Sequence, residues 1–313
     1  GLALAPLGAV YRYASHVRRQ AYRNGVLPRY RAPVPVIVVG NLTVGGTGKT
    51  PLVIWLAGYL KALGFKPGVA AHGYGGRATT WPQQVRSDSD PRAVGDESIV
   101  IARRAKCPVA AGPDRPASVA ALVEYAACDV IISDDGLQHY ALERDVEIAV
   151  VDGIRRFGNG RCLPAGPLRE PVHRLREVDM VVTYGVAGRG EFAMKYVTTH
   201  AVRLARRDRS STLESFASEP VHAVAGIGHP ERFFASLRSR GLRVIAHAYP
   251  DHHRFRRTDL AFDDKLPILM TEKDAVKCEE FAPTRSWFVP ATAELPDVFA
   301  TRLEALLSRG NHG

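Results

Sequence analysis

Gly40-Asn41-Leu42-Thr43-Val44-Gly45-Gly46-Thr47-Gly48-Lys49-Thr50-Pro51 decides how the rest of the chain is read. It follows Val36-Ile37-Val38-Val39, an apolar run with the length of a buried strand, and precedes residues 52–60, which have helix composition. Strand, glycine-rich turn, Lys-Thr and helix start are the context that makes a phosphate loop out of a glycine pattern. The glycines let backbone N–H groups turn inward around an anion, and the helix N-terminus adds its partial positive charge. In this reading Thr43, Val44, Gly45, Gly46, Thr47, Gly48, Lys49 and Thr50 surround a nucleotide's phosphates. Lys49 reaches the β- and γ-phosphates, and the Thr50 hydroxyl holds Mg²⁺. Thr43 stands where the general pattern has a first glycine.

A chain of 313 residues with 46% hydrophobic and 24% charged residues is an ordinary globular composition, long enough for two modest domains. Cys107, Cys128, Cys162 and Cys278 are widely separated and form no Cys-x-x-Cys pair, which argues against a zinc site or a disulfide framework. No apolar run reaches the length of a membrane span. The net charge of +10 is unevenly placed, because no Asp or Glu precedes Asp88. Within this basic stretch Leu2, Leu4, Leu7, Val10, Tyr11 and Tyr13, followed by Arg18 and Arg19, form an apolar-then-basic helix. Such a segment lies in a membrane interface with its arginines toward anionic headgroups. Packing on its own domain and a nucleic-acid patch are the competing readings. No aromatic-rich RNA motif supports the last, so no nucleic-acid partner is expected.

From residue 36 to about 184 short apolar runs alternate with helical stretches, the pattern of a parallel sheet wound in βα units. The runs at residues 69–71, 109–111, 130–132, 148–151 and 180–182 are the further strands, and residues 97–104 and 117–127 are helices. Residues 195–204 alternate in the manner of a ribbon that links two lobes. A second βα series then runs through residues 221–225, 243–246, 267–270 and 287–289, and a last helix covers about 297–307. The expected class is α/β: a P-loop NTPase-like three-layer α/β/α core, a second and smaller α/β lobe, and an N-terminal membrane-surface helix. The expected partition is a membrane-associating helix over residues 1–30, a nucleotide-binding domain over 31–190, a linker ribbon over 191–218 and a C-terminal lobe over 219–313.

Ligands of such sheets bind beyond the carboxyl ends of the strands, where most of the informative polar residues fall. Asp134 and Asp135 close the run at 130–132, where a phosphate-loop enzyme places the carboxylate that holds Mg²⁺. Two adjacent carboxylates there would repel without a cation, so a metal explains them better than a solvated turn. Asp96 and Glu97 stand at a helix start. They read either as capping acids or, for Asp96, as the acceptor of a proton from an attacking hydroxyl. His252 and His253, after Asp251, do not share one metal ion as sequence neighbours. A histidine coupled to a carboxylate, which tunes a base near neutral pH, is the better reading. Arg169 and Glu170 end a rigid proline-bracketed loop, and Arg169, with Arg77 and Arg115, is a candidate contact for a transferring phosphoryl group.

Together with Gly73-Tyr74-Gly75-Gly76, Asp134-Asp135-Gly136-Leu137-Gln138-His139, residues 163–170, residues 225–234 and residues 270–277, these motifs resemble those of the tetraacyldisaccharide 4′-kinase family over nearly the whole length. That family tolerates Thr43 in the loop. The resemblance implies a monomeric, monotopic kinase on the cytoplasmic face of the bacterial inner membrane. It also implies transfer of the γ-phosphoryl of ATP, with Mg²⁺, to the 4′-hydroxyl of an anionic glycolipid, the tetraacyldisaccharide 1-phosphate precursor of lipid A. It implies Asp96 as base with His252 as its partner and Lys49 on the phosphates. Thr50, Asp134, Asp135 and Glu97 would lie around the metal, with Arg115, Arg169 and Glu170 along the cleft. His72 stands where the family pattern has Arg, and Ser98 where it has Pro. The rival reading is a nucleotide-gated P-loop switch or metallochaperone-type GTPase that binds a partner without phosphorylating it. In Thr271-Glu272-Lys273-Asp274 the lysine comes one residue late for guanine recognition, which disfavours that rival.

Overall fold

The computed structural model describes residues 4–310, so Leu2 and the outermost termini lie outside the described residues. The apolar run before the glycine-rich turn forms β1 (Val36–Gly40), buried along its whole length. It needs no polar face because helices cover the sheet on both sides. On one side of β1 the sheet holds β2 (Pro67–Ala71), β3 (Gln83–Val85), β4 (Val109–Ala111) and β5 (Val130–Asp134). On the other side lie β6 (Val146–Asp152), β7 (Met180–Tyr184) and β8 (Phe192–Val197). All of these pair in parallel except β3, which runs antiparallel to β4.

The helices of this part are α1 (Ala5–Arg23), α2 (Lys49–Ala62), α3 (Pro91–Val94), α4 (Asp96–Ala105) and α5 (Arg115–Ala126). Ile37 and Val39 of β1 face Leu52 and Leu56 of α2 and Ile99 of α4, while Val36 and Val38 face Val119 and Leu122 of α5. The two-residue period of the strand thus feeds two cores, one on each face of the sheet. This is the expected three-layer α/β/α core.

The second lobe is built on a six-stranded sheet. Its strands are β9 (His200–Arg203), β10 (Ser210–Thr212), β11 (Val221–Ala225), β12 (Val244–Ala248), β13 (Ile268–Thr271) and β14 (Ser286–Val289), in the order β10-β9-β14-β13-β11-β12. Helix α6 (Pro230–Arg238) follows β11, and α7 (Glu272–Cys278) follows β13. Thr271 caps α7, its hydroxyl accepting from the Asp274 N–H at 3.1 Å.

Two parts of the chain depart from the partition expected above. Residues 195–204 are not one ribbon: β8 pairs with β7 of the first sheet, and β9 pairs with β14 of the second. The end of the chain does not stay in the second lobe either. Strand β15 (Thr292–Glu294) pairs antiparallel with β8, and α8 (Asp297–Gly310) sets Phe299, Leu303 and Leu307 into the core beneath α2 and α4. The helix itself was legible in the sequence, but of its apolar residues Val298 is 62% exposed while Phe299 is buried, and periodicity does not name the surface that buries a face.

Helix α1 lies against the first lobe through Gly8, where an added Cβ would come within 2.9 Å of the Ala165 side chain. Arg19 and Arg23 pair with Glu177, so these two arginines face the body of the protein. Arg12 and Arg18 remain exposed. The outward face carries Leu7, Val10, Tyr13 and Val17, exposed by 56%, 65%, 71% and 47%. Among the described residues no helix is long and apolar enough to cross a membrane.

Candidate active site

The carboxyl ends of the two sheets face each other across a cavity of about 730 Å³. From the first lobe, the turn between β1 and α2 supplies its floor. Gly45 and Gly48 take left-handed φ values of +90° and +88°, which bend the backbone toward the start of α2. A Cβ at Gly48 would lie 1.8 Å from the Tyr196 hydroxyl, so only glycine fits there. Helix α2 has no acid in its first turn and no side-chain cap, which leaves its first N–H groups free for an anion. Lys49 Nζ is held 3.2 Å from Asn41 Oδ1 and 3.4 Å from Asp135 Oδ1. Val44, Gly45, Gly46, Thr47, Gly48, Lys49 and Thr50 all line the cavity. Thr43 does not: it is buried behind the turn, bridged to Leu168, and its carbonyl accepts from Asn41 Nδ2 at 2.7 Å. Its role is to shape the loop.

Asp134 and Asp135 point to different surroundings because Asp135 adopts a left-handed φ of +52°. The Asp135 carboxylate takes Arg169 Nη1 at 3.0 Å as well as Lys49. Burial pushes its carboxyl up, but the Lys49 and Arg169 charges outweigh burial and leave it well below the ordinary range. Asp134 is pushed up to about 7, first by burial and then by the negative charge of Glu97. Its Oδ1 is buried with no hydrogen-bond partner. Part of the positive charge expected beside two adjacent acids is thus supplied by the chain itself. Lys49 and Arg169 pair with Asp135 directly, while Asp134 feels the Lys49 and Arg115 charges without an ion pair or hydrogen bond to its Oδ1. A divalent cation fits at that orphaned oxygen. Among the described residues no group of three or more His, Cys, Asp or Glu forms a metal cage. That suits Mg²⁺, which keeps waters and phosphate oxygens in its shell.

Asp96 opens α4 after Gly95, whose φ of +85° brings the backbone against Tyr74. Its Oδ1 accepts from the Glu97 N–H at 2.9 Å. Its Oδ2 lies 3.8 Å from His252 Nδ1 and 3.8 Å from Lys277 Nζ, both supplied by the second lobe. Burial raises the Asp96 carboxyl, but His252, Lys273 and Lys277 outweigh it and hold the group below its ordinary value. His252 stands on Tyr74, ring centres 4.8 Å apart. His253 turns away to Asp259 at 3.0 Å, so only one of the paired histidines serves the cleft.

Several expected contacts fall outside the cavity. Arg115 is fully buried, and its guanidinium donates to the carbonyls of Ala71, Gly112 and Asp134 at 2.6, 2.7 and 2.6 Å. It ties three strand ends together instead of lining the cleft. Arg77 is exposed, and its N–H bonds to the Arg92 carbonyl away from the cavity. Glu170 faces inward, accepting from Gln138 at 2.8 Å and lying 3.6 Å from Arg174. Arg169 alone of these four lines the cavity. His72 and Ser98, which depart from the family pattern, also line it. Burial and then the Arg115 charge push the His72 ring down in pKa, so it brings no fixed charge where the pattern has arginine.

Other residues of the site were not foreseen. Lys273 Nζ lies 2.9 Å from Glu97 Oε1, which occupies the carboxylate assigned above to the metal. Arg155 donates to the Val44 carbonyl at 2.9 Å and meets His229 of the second lobe. Asp274 is buried, accepting from the Gly226 N–H at 2.8 Å and pairing with Lys277 at 2.6 Å. That structural duty leaves it unable to read a guanine. The one signal for Lys273 was its place directly beyond a strand end, and a short charged run there also reads as surface.

The tetraacyldisaccharide-1-P 4'-kinase family matches residues 1–308. A tetraacyldisaccharide 4'-kinase of Nitrosococcus oceani is 52% identical over 306 residues, covering 98% of this chain and 90% of that protein. One from Alkalilimnicola ehrlichii is also 52% identical, over 307 residues, covering 98% and 92%. The crystal structure of LpxK from Aquifex aeolicus in complex with ATP superposes with a TM-score of 0.81 at 26% identity, covering 98% of each chain.

Proposed function

Since the chain belongs to the tetraacyldisaccharide-1-P 4'-kinase family, we propose that its cleft carries out the transfer with Asp96 as the base and the β1–α2 turn as the phosphate cradle. The chain is an ATP-dependent kinase of the lipid A disaccharide, acting at the 4′-hydroxyl. Main-chain N–H groups of residues 45–50 and the Lys49 ammonium bind the polyphosphate and set its direction. Thr50 and Asp134 would hold Mg²⁺, which would supply charge neutralisation when bound, with Asp135 beside them paired to Lys49 and Arg169. Arg169 reinforces Lys49 through their shared partner Asp135.

Asp96 is ionised at neutral pH, so it is ready to accept the hydroxyl proton, yet its lowered pKa makes it a weak base. A weak base suits a loose transition state, in which the proton leaves late and positioning carries most of the catalysis. The observation that carries this reading is that His252 lines the same cavity as the phosphate cradle and lies 3.8 Å from Asp96, which sits directly beside the cavity-lining Glu97 at the start of α4.

The outward apolar stripe of α1, with Arg12 and Arg18 exposed beside it, supports seating on the cytoplasmic surface of the inner membrane. The test is phosphorylation of tetraacyldisaccharide 1-phosphate by purified protein with Mg-ATP, the product position read by NMR. A 4′-phosphate supports the reading. GTP preference with hydrolysis and no phosphorylated glycolipid would establish the switch in its place.

A further inference from the structure

We propose that Lys273 is a positioning residue for the transfer: reaching from α7, its ammonium fixes which nitrogen of His252 carries the proton and so aims His252 at Asp96. The inference rests on the reading of Asp96 and His252 as the catalytic pair, and its test separates the two.

Three acceptors meet Lys273 Nζ. Glu97 Oε1 of α4 lies at 2.9 Å, and Asp251 Oδ1 and His252 Nε2 of the loop after β12 each lie at 3.4 Å. The side chain is only 17% exposed, so solvent does little to replace these contacts. A lysine ammonium has three N–H donors and no acceptor, and three acceptors surround it here. A nitrogen facing an ammonium can only accept. His252 Nε2 also lies 3.9 Å from Asp251 Oδ1, but the same ammonium holds that carboxylate at 3.4 Å; facing the ammonium, Nε2 is the bare nitrogen, and Nδ1 carries the ring proton.

That tautomer is the useful one. Nδ1 is the atom that faces Asp96 Oδ2, at 3.8 Å. With Nε2 bare, Nδ1–H donates toward the carboxylate and completes the hold that the Glu97 N–H exerts on Oδ1. The other tautomer would place a lone pair against the Asp96 carboxylate and turn it away. His252 itself sits at a left-handed φ of +58°, a conformation that needs support from its surroundings. Tyr74 on one side of the ring and Lys273 at Nε2 supply that support. Because Lys273 also grips Glu97, one ammonium ties the base's helix in the first lobe to the histidine's loop in the second.

The experiment uses the full chain labelled with ¹⁵N in its histidine rings, at about pH 8.5, above the ordinary histidine range. His252 is assigned by its loss in His252→Gln. The wild type is expected to show His252 protonated at Nδ1, and Lys273→Met to show it protonated mainly at Nε2, the form neutral imidazole prefers in water. Alongside, Lys273→Met is expected to lower kcat on the order of a hundredfold, the cost of a misplaced reacting group. KM for ATP should stay within about twofold, and Lys273→Arg should recover part of kcat. A wild-type His252 protonated at Nε2, or an unchanged kcat in Lys273→Met, overturns the proposal. The ring spectrum is read without turnover. Asp96→Asn with full activity would thus remove the catalytic pair while leaving the Lys273–His252 contact standing.

Discussion

His252 Nδ1 and Asp96 Oδ2 face each other at 3.8 Å across the boundary between the lobes. Neither lobe alone holds both members of the pair, so proton acceptance depends on the lobes being seated together. Asp96 makes its contacts with Glu97, His252 and Lys277, none of which belongs to the phosphate loop. Asp96→Ala should lower turnover by about 10²–10⁴ with little change in affinity for a non-hydrolysable ATP mimic. Steady-state rates and calorimetry check this, and an unaffected turnover removes Asp96 from the mechanism.

Gly48 and Gly46 separate backbone geometry from ligand approach. Gly48→Ala places a Cβ 1.8 Å from the Tyr196 hydroxyl at a left-handed φ. The backbone strain alone is ~1–2 kcal/mol, so ATP affinity should fall about tenfold or more. At Gly46 an added Cβ meets nothing within 4 Å, and φ is not left-handed. Gly46→Ala should leave the melting temperature of the free protein unchanged. A loss of ATP affinity in that variant would mean that the phosphates lie directly against the Gly46 backbone.

Asp134 gives the free protein a definite pH dependence. Its folded-state pKa is raised to about 7, so between the ordinary carboxylate value and about 7 the folded chain binds the proton that the unfolded chain releases. Stability then falls as pH rises through that window, by a few kcal/mol at most. Asp134→Asn should flatten this fall and raise the melting temperature at pH 7–8 while abolishing kinase activity. Mg²⁺ should raise the melting temperature of the wild type and not of the variant. Thermal melts at stepped pH, with and without Mg²⁺, decide the matter.

The stripe on α1 predicts reversible membrane binding. Burying one such side chain is worth ~1.5–3 kcal/mol, so Val10→Glu should weaken co-sedimentation with anionic vesicles by at least about tenfold. Val10 lies far from the phosphate loop in the chain, and ATP affinity should not change. Undiminished sedimentation would show that α1 does not seat the protein on lipid.

The first sheet was legible in the sequence because its central strands are buried on both faces and read as unbroken apolar runs. Strands β3 and β15 and helix α3 are three or four residues long, too short to carry a period. Alternation continues through residues 195–204 although the chain changes sheets there, since both sheets demand the same two-residue repeat. Within the site, residues 44–50 stand between β1 and α2 and Asp96 opens α4, the local settings their sequence suggests. The setting of Arg115 was not legible, because an arginine at a helix start can turn to a cleft or to buried carbonyls, and only the fold decides. The pairing of Lys273 and Lys277 was not legible, since their partners, Glu97 and Asp96, lie some 180 residues earlier on another helix.

The return of the chain end to the first sheet sets an order on how the molecule comes into being. A ribosome makes the phosphate-loop half first, yet Phe299, Leu303 and Leu307, which fill the hollow under α2, are synthesised only after the second lobe. Until they arrive, that half exposes apolar surface and β8 offers an open edge, the features that invite aggregation during biosynthesis. The first lobe thus closes its core only once the second lobe has been made, and truncation before residue 292 would leave that core and the β8 edge open.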